Sequence, residues 1–224
     1  MRKLTTIMLA TALVITMGSC NQDPKQAAEN EVAVSETADL SRAQIKSKSF
    51  DQLFKSIDVK DIPGEPFTLI SENYGILTVG NPDKFNSMIT SWGGWGIQFG
   101  KPAVFHMLRS NRYTLELIRE QDKYTVSFFD EKYKQDIMPF GRQSGRDSNK
   151  MAETQLSPVQ TPNGRMAYKE ASIILECTLQ GVTTVSPDDF KNEDNRKFIT
   201  DAYAETGDYH KIVFSEITNV WIRK

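Results

Sequence analysis

The chain has 224 residues, and 27 Lys and Arg residues stand against 29 Asp and Glu residues, which gives a formal net charge of -2. This balance argues against a nucleic-acid partner, because a basic surface supplies most of the affinity for a phosphate backbone. Beyond the first residues, no cluster of Lys and Arg indicates a contact with a membrane surface.

The N-terminus has the pattern of an export signal. Met1–Lys3 is positively charged, residues 4–17 are apolar or small, and Gly-Ser-Cys at 18–20 ends the run. The apolar run is shorter than the roughly 20 residues that span a bilayer. We expect residues 1–20 to be a lipoprotein signal and Cys20 to carry a lipid that anchors the chain to the bacterial cell envelope, on its periplasmic or outer-membrane face. Ordinary signal cleavage nearby is the alternative.

Residues 21–48 are predicted to form a flexible tether, because they are rich in Ala, Glu, Gln and Ser and hold few large apolar side chains. Residues 49–224 are long enough for one β domain. If Cys20 is lipidated, Cys177 is the remaining cysteine of the sequence, so no intramolecular disulfide can form. Cys177 itself is predicted to be a buried strand residue.

The domain starts with a predicted helix that Ser49 caps and in which Phe50, Leu53, Phe54 and Ile57 share one face. Short β-type runs follow, separated by Gly, Pro and Asn, as is typical of a barrel or sandwich. The predicted strands cover residues 67–70, 75–79, 88–92, 103–108, 124–129, 171–179 and 211–221. Further helices are predicted at residues 112–120, at 147–156 with Asp147 as the cap, and at 187–203.

Residues 86–96 read Asn-Ser-Met-Ile-Thr-Ser-Trp-Gly-Gly-Trp-Gly and so combine small polar side chains, glycines and two indoles. This mixture suits a flat heteroaromatic ligand, which needs backbone or apolar walls and a few fixed donors. The alternative interpretation is structural. Gly93 and Gly94 would form a hairpin turn, while Trp92 and Trp95 would fill the core or a subunit interface.

Two segments place cations where a helix is predicted to start. Residues 109–114 read Arg-Ser-Asn-Arg-Tyr-Thr, and residues 144–150 read Ser-Gly-Arg-Asp-Ser-Asn-Lys. Cationic side chains beside the free N–H groups of a helix start suit a phosphate. The alternative is a capped turn with solvated surface charges. The sequence does not show whether one of these segments or both would bind the phosphate.

The sequence lacks the motifs of metal sites, serine hydrolases and dinucleotide-binding folds. With two histidines and no His-Glu-x-x-His or Cys-x-x-Cys spacing, no metal site is expected. His106 lies in an apolar run and is predicted to be a core or wall residue. The sequence has neither the Gly-x-Ser-x-Gly elbow of serine hydrolases nor a dinucleotide-fold Gly-x-Gly-x-x-Gly at residues 93–100.

Three elements, in order, resemble the flavin reductase family of FMN-binding split β-barrels. They are Asn-x-Met with Thr-Ser-Trp at 86–92 followed by Arg-Tyr-Thr at 112–114, the Gly-x-x-Ser-Gly-Arg-Asp-x-x-Lys run at 141–150, and Asp-Tyr-His at 208–210. The resemblance covers about residues 65–222. It implies a mainly β fold, a six-stranded Greek-key split β-barrel with inserted helices, that binds FMN and assembles as a homodimer.

The resemblance also implies the site residues. His210 is expected near the flavin ring, and Ser127 is expected to be a minor contact at most. No catalytic side chain is assigned, because a bound flavin carries the chemistry itself. The expected FMN-binding residues are Asn86, Ser87, Met88, Thr90, Ser91, Trp92, Arg109, Arg112, Tyr113, Thr114, Ser144, Gly145, Arg146 and Lys150.

The function implied is that of an FMN-binding, flavin reductase-like oxidoreductase, which takes electrons from NAD(P)H or from a redox partner. Because reduced nicotinamides are cytosolic, an exported chain has an alternative role as a lipid-anchored flavoprotein electron carrier or ligand-binding module without turnover. A third alternative is a barrel that has lost its ligand and serves as an envelope interaction protein. The intact runs at 86–91 and 144–150 argue against that alternative.

Overall fold

The computed structural model describes residues 50–224. The predictions for the export signal, Cys20, the tether and Ser49 therefore concern residues outside the described range. Between residues 50 and 224, no helix has both the length and the apolar character needed to cross a bilayer.

Antiparallel strands dominate the described residues. The strands are β1 (Phe54–Ile57), β2 (Gly75–Asn81), β3 (Lys84–Thr90), β4 (Gly93–Gln98), β5 (Lys101–Arg109), β6 (Lys123–Phe128), β7 (Pro158–Gln160), β8 (Met166–Tyr168), β9 (Ile173–Thr184) and β10 (His210–Arg223). Eight of them form one sheet in the order β3-β2-β6-β9-β10-β5-β4 with β1 added beside β10, while β7 and β8 pair separately. The fold is mainly β, as predicted, although this sheet has eight strands where the resemblance implies six.

The last strand, β10, joins the two halves of the sheet. It pairs with β9 along most of its length, with β5 through its first half and with β1 through Val220–Arg223. Two irregularities, between Phe214 and Ser215 and between Ile217 and Asn219, interrupt its register with β9. Such bulges bend a strand and increase its twist, so that a sheet can curl toward a barrel.

Short helices interrupt the strands. They are α1 (Phe50–Leu53), α2 (Tyr113–Gln121), α3 (Lys134–Ile137), α4 (Pro139–Arg142) and α5 (Glu193–Ala202). Helical turns also occur at Val59–Asp61, Thr68–Glu72, Glu131–Tyr133, Lys150–Glu153 and Pro187–Asp189. The predicted helix at 112–120 is confirmed by α2, and the helical excursion at 187–203 is confirmed by Pro187–Asp189 and α5.

The two faces of the sheet bury separate apolar clusters. One cluster joins side chains of β2, β5, β6, β9 and β10 to α2, with Leu77, Val126 and Ile118 fully buried. The other lies on the opposite face, where Ile76 and Ile174 pack beneath α1, α4 and β8. Coverage on both faces explains why the apolar and polar residues of these strands do not alternate strictly in the sequence.

The predicted helix at residues 50–57 is correct only for its first turn. α1 ends at Leu53, and Phe54–Ile57 forms β1 along Val220–Arg223. Phe54 is buried and stacks on Phe50 with 4.6 Å between the ring centroids. Pairing with β10 overrides the helical spacing of the apolar residues, because propensity is a weak preference that tertiary contacts reverse.

The predicted strand at residues 67–70 is wrong, because Thr68–Glu72 forms a turn of π-helix. The Glu65 carboxylate accepts hydrogen bonds from the backbone N–H groups of Phe67 and Thr68 at 2.9 and 2.8 Å. A side chain that satisfies the N–H groups of a first turn favours the helical conformation. Local capping therefore determines the helical conformation of this segment, whose apolar and polar residues do not alternate as they do in a strand.

The predicted helix at residues 147–156 is largely wrong, since the structure forms only the turn Lys150–Glu153 and its cap is Asn149. Side chains bond to the backbone in place of a helical ladder: Ser148 Oγ donates to the Ser144 carbonyl at 2.8 Å and Thr154 Oγ1 donates to the Asp136 carbonyl at 2.7 Å. Such side-chain bonds compete with regular structure.

The interpretation of Gly93-Gly94 as a hairpin turn is also wrong. Both glycines lie in β4, which pairs with β5, and the chain reverses at Phe99 and Gly100, whose φ angles are 50° and 77°. A Cβ on Gly94 would lie 2.9 Å from the Phe105 ring, so the glycine leaves room for that side chain across the strand pair. The elements β1, β4, β7, β8, α3 and α4 have no counterpart among the predicted elements.

Candidate functional site

A cavity of about 510 Å³ lies between β3, the start of α2 and residues 140–150. We call it the main cavity. Its volume is within the range of small-molecule sites. The predicted ligand residues that line it are Asn86, Met88, Arg112, Tyr113, Thr114, Ser144, Gly145, Arg146 and Lys150. Segments that lie far apart in the sequence therefore meet at one hollow.

The start of α2 places one cation at the mouth of the main cavity. Arg112 is the N-cap residue, with extended backbone angles, and its carbonyl accepts from the Leu115 N–H at 2.9 Å. Its side chain is exposed, and in the described part of the chain its guanidinium has no hydrogen-bond or ion-pair partner. The first N–H groups of a helix also attract anions. An anion at this end of the cavity would meet an uncommitted guanidinium.

Asn86 fixes the contact between β3, α2 and the 144–150 turn. Its side chain is buried, and Nδ2 donates to Thr114 Oγ1 at 2.7 Å. Gly145 lies directly against it, because a Cβ on that residue would be 1.9 Å from Asn86 Oδ1. A glycine is required here so that the turn can approach the strand.

Lys150 is a buried cation at the wall of the main cavity. Its Nζ donates to the Ser87 carbonyl at 2.9 Å and to the Phe140 carbonyl at 3.5 Å. An ammonium group has three donors, so one remains for a ligand. Burial, and then the nearby Arg112 charge, lower the pKa of Lys150 from its ordinary value of 10.5 to about 8.

The Arg146 guanidinium is already engaged. It donates to the Asn111 carbonyl at 3.1 Å, forms an ion pair with Glu116, and lies over the Tyr113 ring at 5.1 Å from its centroid. Its backbone N–H donates to the Ser144 hydroxyl at 3.2 Å. These contacts hold the 144–147 turn against the first turn of α2, so Arg146 contributes shape and positive potential.

A smaller cavity of about 180 Å³ adjoins the main cavity and shares Met88, Ile89 and Arg112 with it. We call it the side cavity. The predicted residues Thr90, Ser91, Trp92, Arg109 and His210 line it as well. Thr90 Oγ1 is buried without a hydrogen-bond partner in the described residues, which leaves a donor and acceptor for a ligand.

Trp92 and His210 form one wall of the side cavity, with 4.9 Å between their ring centroids. His210 Nδ1 is hydrogen-bonded to the Tyr203 hydroxyl. Burial lowers the pKa of His210, and so do the charges of Arg109 and Arg112, while the Asp208 carboxylate partly opposes them. A neutral imidazole therefore faces this cavity at neutral pH.

Two predicted ligand residues have other contacts. The Ser87 side chain lies on the opposite face of β3, hydrogen-bonded to Tyr168 Oη at 2.7 Å and Thr78 Oγ1 at 2.9 Å, and lines neither cavity. Arg109 lines the side cavity, but its Nε is paired with Asp208 at 3.1 Å and its Nη2 donates to Thr206 at 3.2 Å. Both side chains therefore already satisfy structural partners.

Three further predictions concern single side chains. His106 is buried against Tyr124, and burial lowers its pKa to about 3, which confirms a core residue. Cys177 is a fully buried residue of β9, as predicted. Ser127 is also buried and lines neither cavity. In residues 50–224, no group of three or more His, Cys, Asp or Glu side chains is placed to hold a metal ion.

Sequence reasoning missed some residues that line the main cavity. They are Ile89, Asn111, Phe140, Gly141, Gln143 and Asp147. Asn111 and Asp147 lie inside the motifs and could have been included, whereas nothing in the sequence brings Phe140 to β3. The combined hollow has cations at one end and a polar, partly aromatic wall at the other. It can hold a molecule with an anionic tail and a flat polar ring.

A family model described as flavin reductase like domain matches residues 68–224. Among solved structures, an FMN-binding domain of a flavin reductases-like enzyme from Shewanella baltica OS155 has a TM-score of 0.53 at 15% identity, covering 75% of this chain and 76% of that chain. An FMN-binding protein from Thermus thermophilus with bound p-hydroxybenzaldehyde has a TM-score of 0.52 at 17% identity, covering 75% and 81%. No curated protein matches the chain. The structural likenesses agree with the fold described above.

Proposed function

The chain belongs to the flavin reductase-like domain family, and from that premise we propose that it binds FMN in the main and side cavities and acts as a flavin-dependent oxidoreductase. The observation that carries the proposal is the meeting of Arg112, Lys150, Asn86 and Thr114 at one cavity. These residues fit the cofactor, because FMN has an anionic phosphate at one end and a flat heteroaromatic ring at the other.

The phosphate belongs at the α2 end of the main cavity. Arg112 offers a guanidinium that has no partner in residues 50–224, Lys150 offers its third donor, and the helix start adds positive potential. The Asp147 carboxylate is the acidic group in the lining, and it is outnumbered by Arg112, Arg146 and Lys150. Because Arg146 is also paired with Glu116, the local charge is net positive by a smaller margin, which still favours an anion.

The ring belongs toward the side cavity. The Thr90 hydroxyl, which has no hydrogen-bond partner within residues 50–224, supplies a hydrogen-bonding group, and Met88 and Ile89 supply apolar surface. FMN supplies hydride and single-electron chemistry when bound. The protein positions the ring, and His210, held at Nδ1 by Tyr203, keeps a neutral imidazole beside it.

The electron donor is proposed to be NAD(P)H or a redox partner protein. The second candidate function, a flavoprotein carrier or ligand-binding module without turnover, is favoured by the export signal at residues 1–20. We propose that Cys20 carries the lipid and anchors the chain to the cell envelope. Labelled palmitate incorporated by the full chain, and lost in Cys20→Ser, would support this anchor; equal labelling of the two would reject it.

We also propose that two copies assemble as a homodimer. The support is the set of apolar side chains exposed along the β4–β5 hairpin, which are Ile97 in β4, Phe99 in the turn and Phe105 in β5. Exposed apolar clusters of this kind commonly mark a protein interface.

The first experiment is the visible absorption spectrum of the purified chain, before and after addition of FMN. We expect a flavin spectrum and a rise in melting temperature with FMN, because a ligand that binds only the folded state stabilises it. A colourless protein with no FMN-dependent stabilisation would reject the proposal.

Steady-state oxidation of NADH and NADPH in the presence of free flavin separates the two candidate functions. Rapid turnover supports the reductase. Tight FMN binding without turnover supports the carrier.

A further inference from the structure

A third pocket, of about 280 Å³, adjoins the Trp92 side of the site. We call it the aromatic pocket. Its lining includes Trp92, Met107, Phe198, Tyr203 and His210. Because Trp92, Met107 and His210 also line the side cavity, the two hollows share a wall. A molecule in the aromatic pocket would lie beside the proposed place of the flavin ring.

The aromatic pocket is built by the connection between β9 and β10, residues 185–209. These strands are antiparallel neighbours, which a two-residue hairpin can join. The connection is far longer, carries α5, and is fastened at both ends: the Val185 N–H donates to the His210 carbonyl at 3.0 Å, and Asp208 pairs with Arg109 at 3.1 Å.

The chemistry of the lining is apolar and uncharged. None of the described residues that line the aromatic pocket is Asp, Glu, Lys or Arg. Phe198 is 66% exposed and Trp92 is 49% exposed, so aromatic surface is available to a ligand. Polar groups are few: the Asn195 amide, the Tyr203 and Tyr209 hydroxyls and the neutral His210 ring. Apolar walls with a few polar groups are typical of sites for small organic ligands.

We propose that the aromatic pocket binds a small, uncharged aromatic molecule that carries a hydroxyl or carbonyl oxygen. Trp92 and Phe198 pack against its ring, and Tyr203 and His210 bond its oxygen. The lack of a cation in the lining disfavours the diphosphate of a nicotinamide dinucleotide in this pocket. That this molecule is the reaction partner of the flavin rests on the proposed function, whereas its binding does not.

The test is a fluorine NMR titration of the full chain with 4-fluorophenol, without added FMN. We expect saturable broadening of the fluorine line. Phe198→Ala should raise the Kd about tenfold, because it removes one aromatic contact from an exposed position where the fold does not depend on it. The matched control is Lys197→Ala, on the same helix, whose side chain pairs with Asp201 and does not line the pocket. It should leave the Kd unchanged.

Absence of saturable binding, or the same Kd in Phe198→Ala as in the native chain, would overturn the proposal. The anion 4-fluorobenzoate should bind the native chain about tenfold more weakly than 4-fluorophenol does, and equal affinity for the two would overturn the assignment to an uncharged ligand. A parallel FMN titration separates the two proposals. FMN binding without 4-fluorophenol binding removes the pocket proposal alone, and the reverse result removes the proposed function alone.

Discussion

Arg112, Arg146 and Lys150 differ in how far their donors are already engaged. Arg146 bonds to Asn111 and Glu116, and Lys150 gives two donors to backbone carbonyls. Arg112 has no such partner among residues 50–224. A charge-assisted hydrogen bond to a ligand needs a free donor. We therefore expect Arg112 to contribute most to phosphate binding.

Arg112→Ala should raise the Kd for FMN about tenfold and leave the Kd for riboflavin, which lacks the phosphate, unchanged. The magnitude corresponds to the loss of one hydrogen bond between charged groups. The measurement is fluorescence titration with each flavin. Arg142→Ala is the matched control, because this exposed arginine of α4 does not line the main cavity. Equal losses of FMN and riboflavin affinity would show that the phosphate lies elsewhere.

Lys150 gives FMN binding a pH dependence. Its pKa is lowered to about 8, chiefly by burial, so the ammonium form is lost as pH rises through about 8 rather than through 10.5. A phosphate monoester stays dianionic throughout that range, since its second pKa is about 6. The bound phosphate stabilises the ammonium form, so the pKa of Lys150 is higher in the FMN complex than in the free protein. The Kd for FMN should therefore rise about tenfold between about pH 7 and pH 9.5.

The control for this prediction is Lys150→Met, which keeps an apolar stem of similar length and removes the charge. Its FMN affinity should be lower at pH 7 and should not change with pH in the same range. Riboflavin affinity should be independent of pH in both proteins. If the FMN affinity of Lys150→Met still falls as the pH rises, the titrating group is not Lys150.

The sequence allowed most of the cavity lining to be predicted, and its misses have identifiable causes. Asn86, Met88 and Thr90 alternate along β3 and face the cavities, so the period of a strand would have placed Ser87 on the other face. The engagement of Arg109 could not be predicted, because its partner Asp208 is 99 residues away and comes into contact only after folding.

At the scale of elements, runs of β-branched and aromatic residues predicted β2, β5, β6, β9 and β10. Glycines hid β4, because Gly93, Gly94 and Gly96 have low strand propensity. The helical spacing of its apolar residues predicted a helix in place of β1. A capping pattern likewise predicted a helix at residues 147–156, where the structure forms only the Lys150–Glu153 turn. β1 and β4 form because pairing with another strand outweighs a local preference, whereas bonds from side chains to the backbone replace the helix predicted at residues 147–156.

The connection at residues 185–209 depends on its anchor. Asp208 is nearly buried, pairs with Arg109 and also accepts from Ser110 Oγ. Asp208→Asn should therefore increase amide hydrogen exchange across α5 about tenfold, since local opening reports local stability. Exchange read by mass spectrometry is the measurement. Asp201→Asn is the matched control: its pair with Lys197 is exposed and should contribute little. Equal exchange in all three proteins would remove Asp208 as an anchor.

At the scale of the whole molecule, β4 is an end strand of the sheet, and its surroundings are apolar. Ile97 is 75% exposed and Phe99 is 90% exposed, and a groove of about 280 Å³ runs between Trp95, Phe105 and neighbouring side chains. Uncovered apolar edges promote association, and natural proteins usually cover or charge them. In the proposed homodimer, a second copy of the chain covers these apolar side chains and the groove.

Ile97→Asp should convert the homodimer to a monomer, because the new carboxylate would be buried without a partner in the interface. Sedimentation velocity of the native and variant proteins at equal concentration measures the change. Phe67→Asp is the matched control, since Phe67 is equally apolar and exposed but belongs to neither β4 nor β5. A native chain that sediments as a monomer would contradict the proposed assembly. If Ile97→Asp and Phe67→Asp both remain dimeric, the two copies meet through another surface and the apolar face of β4 has a different role.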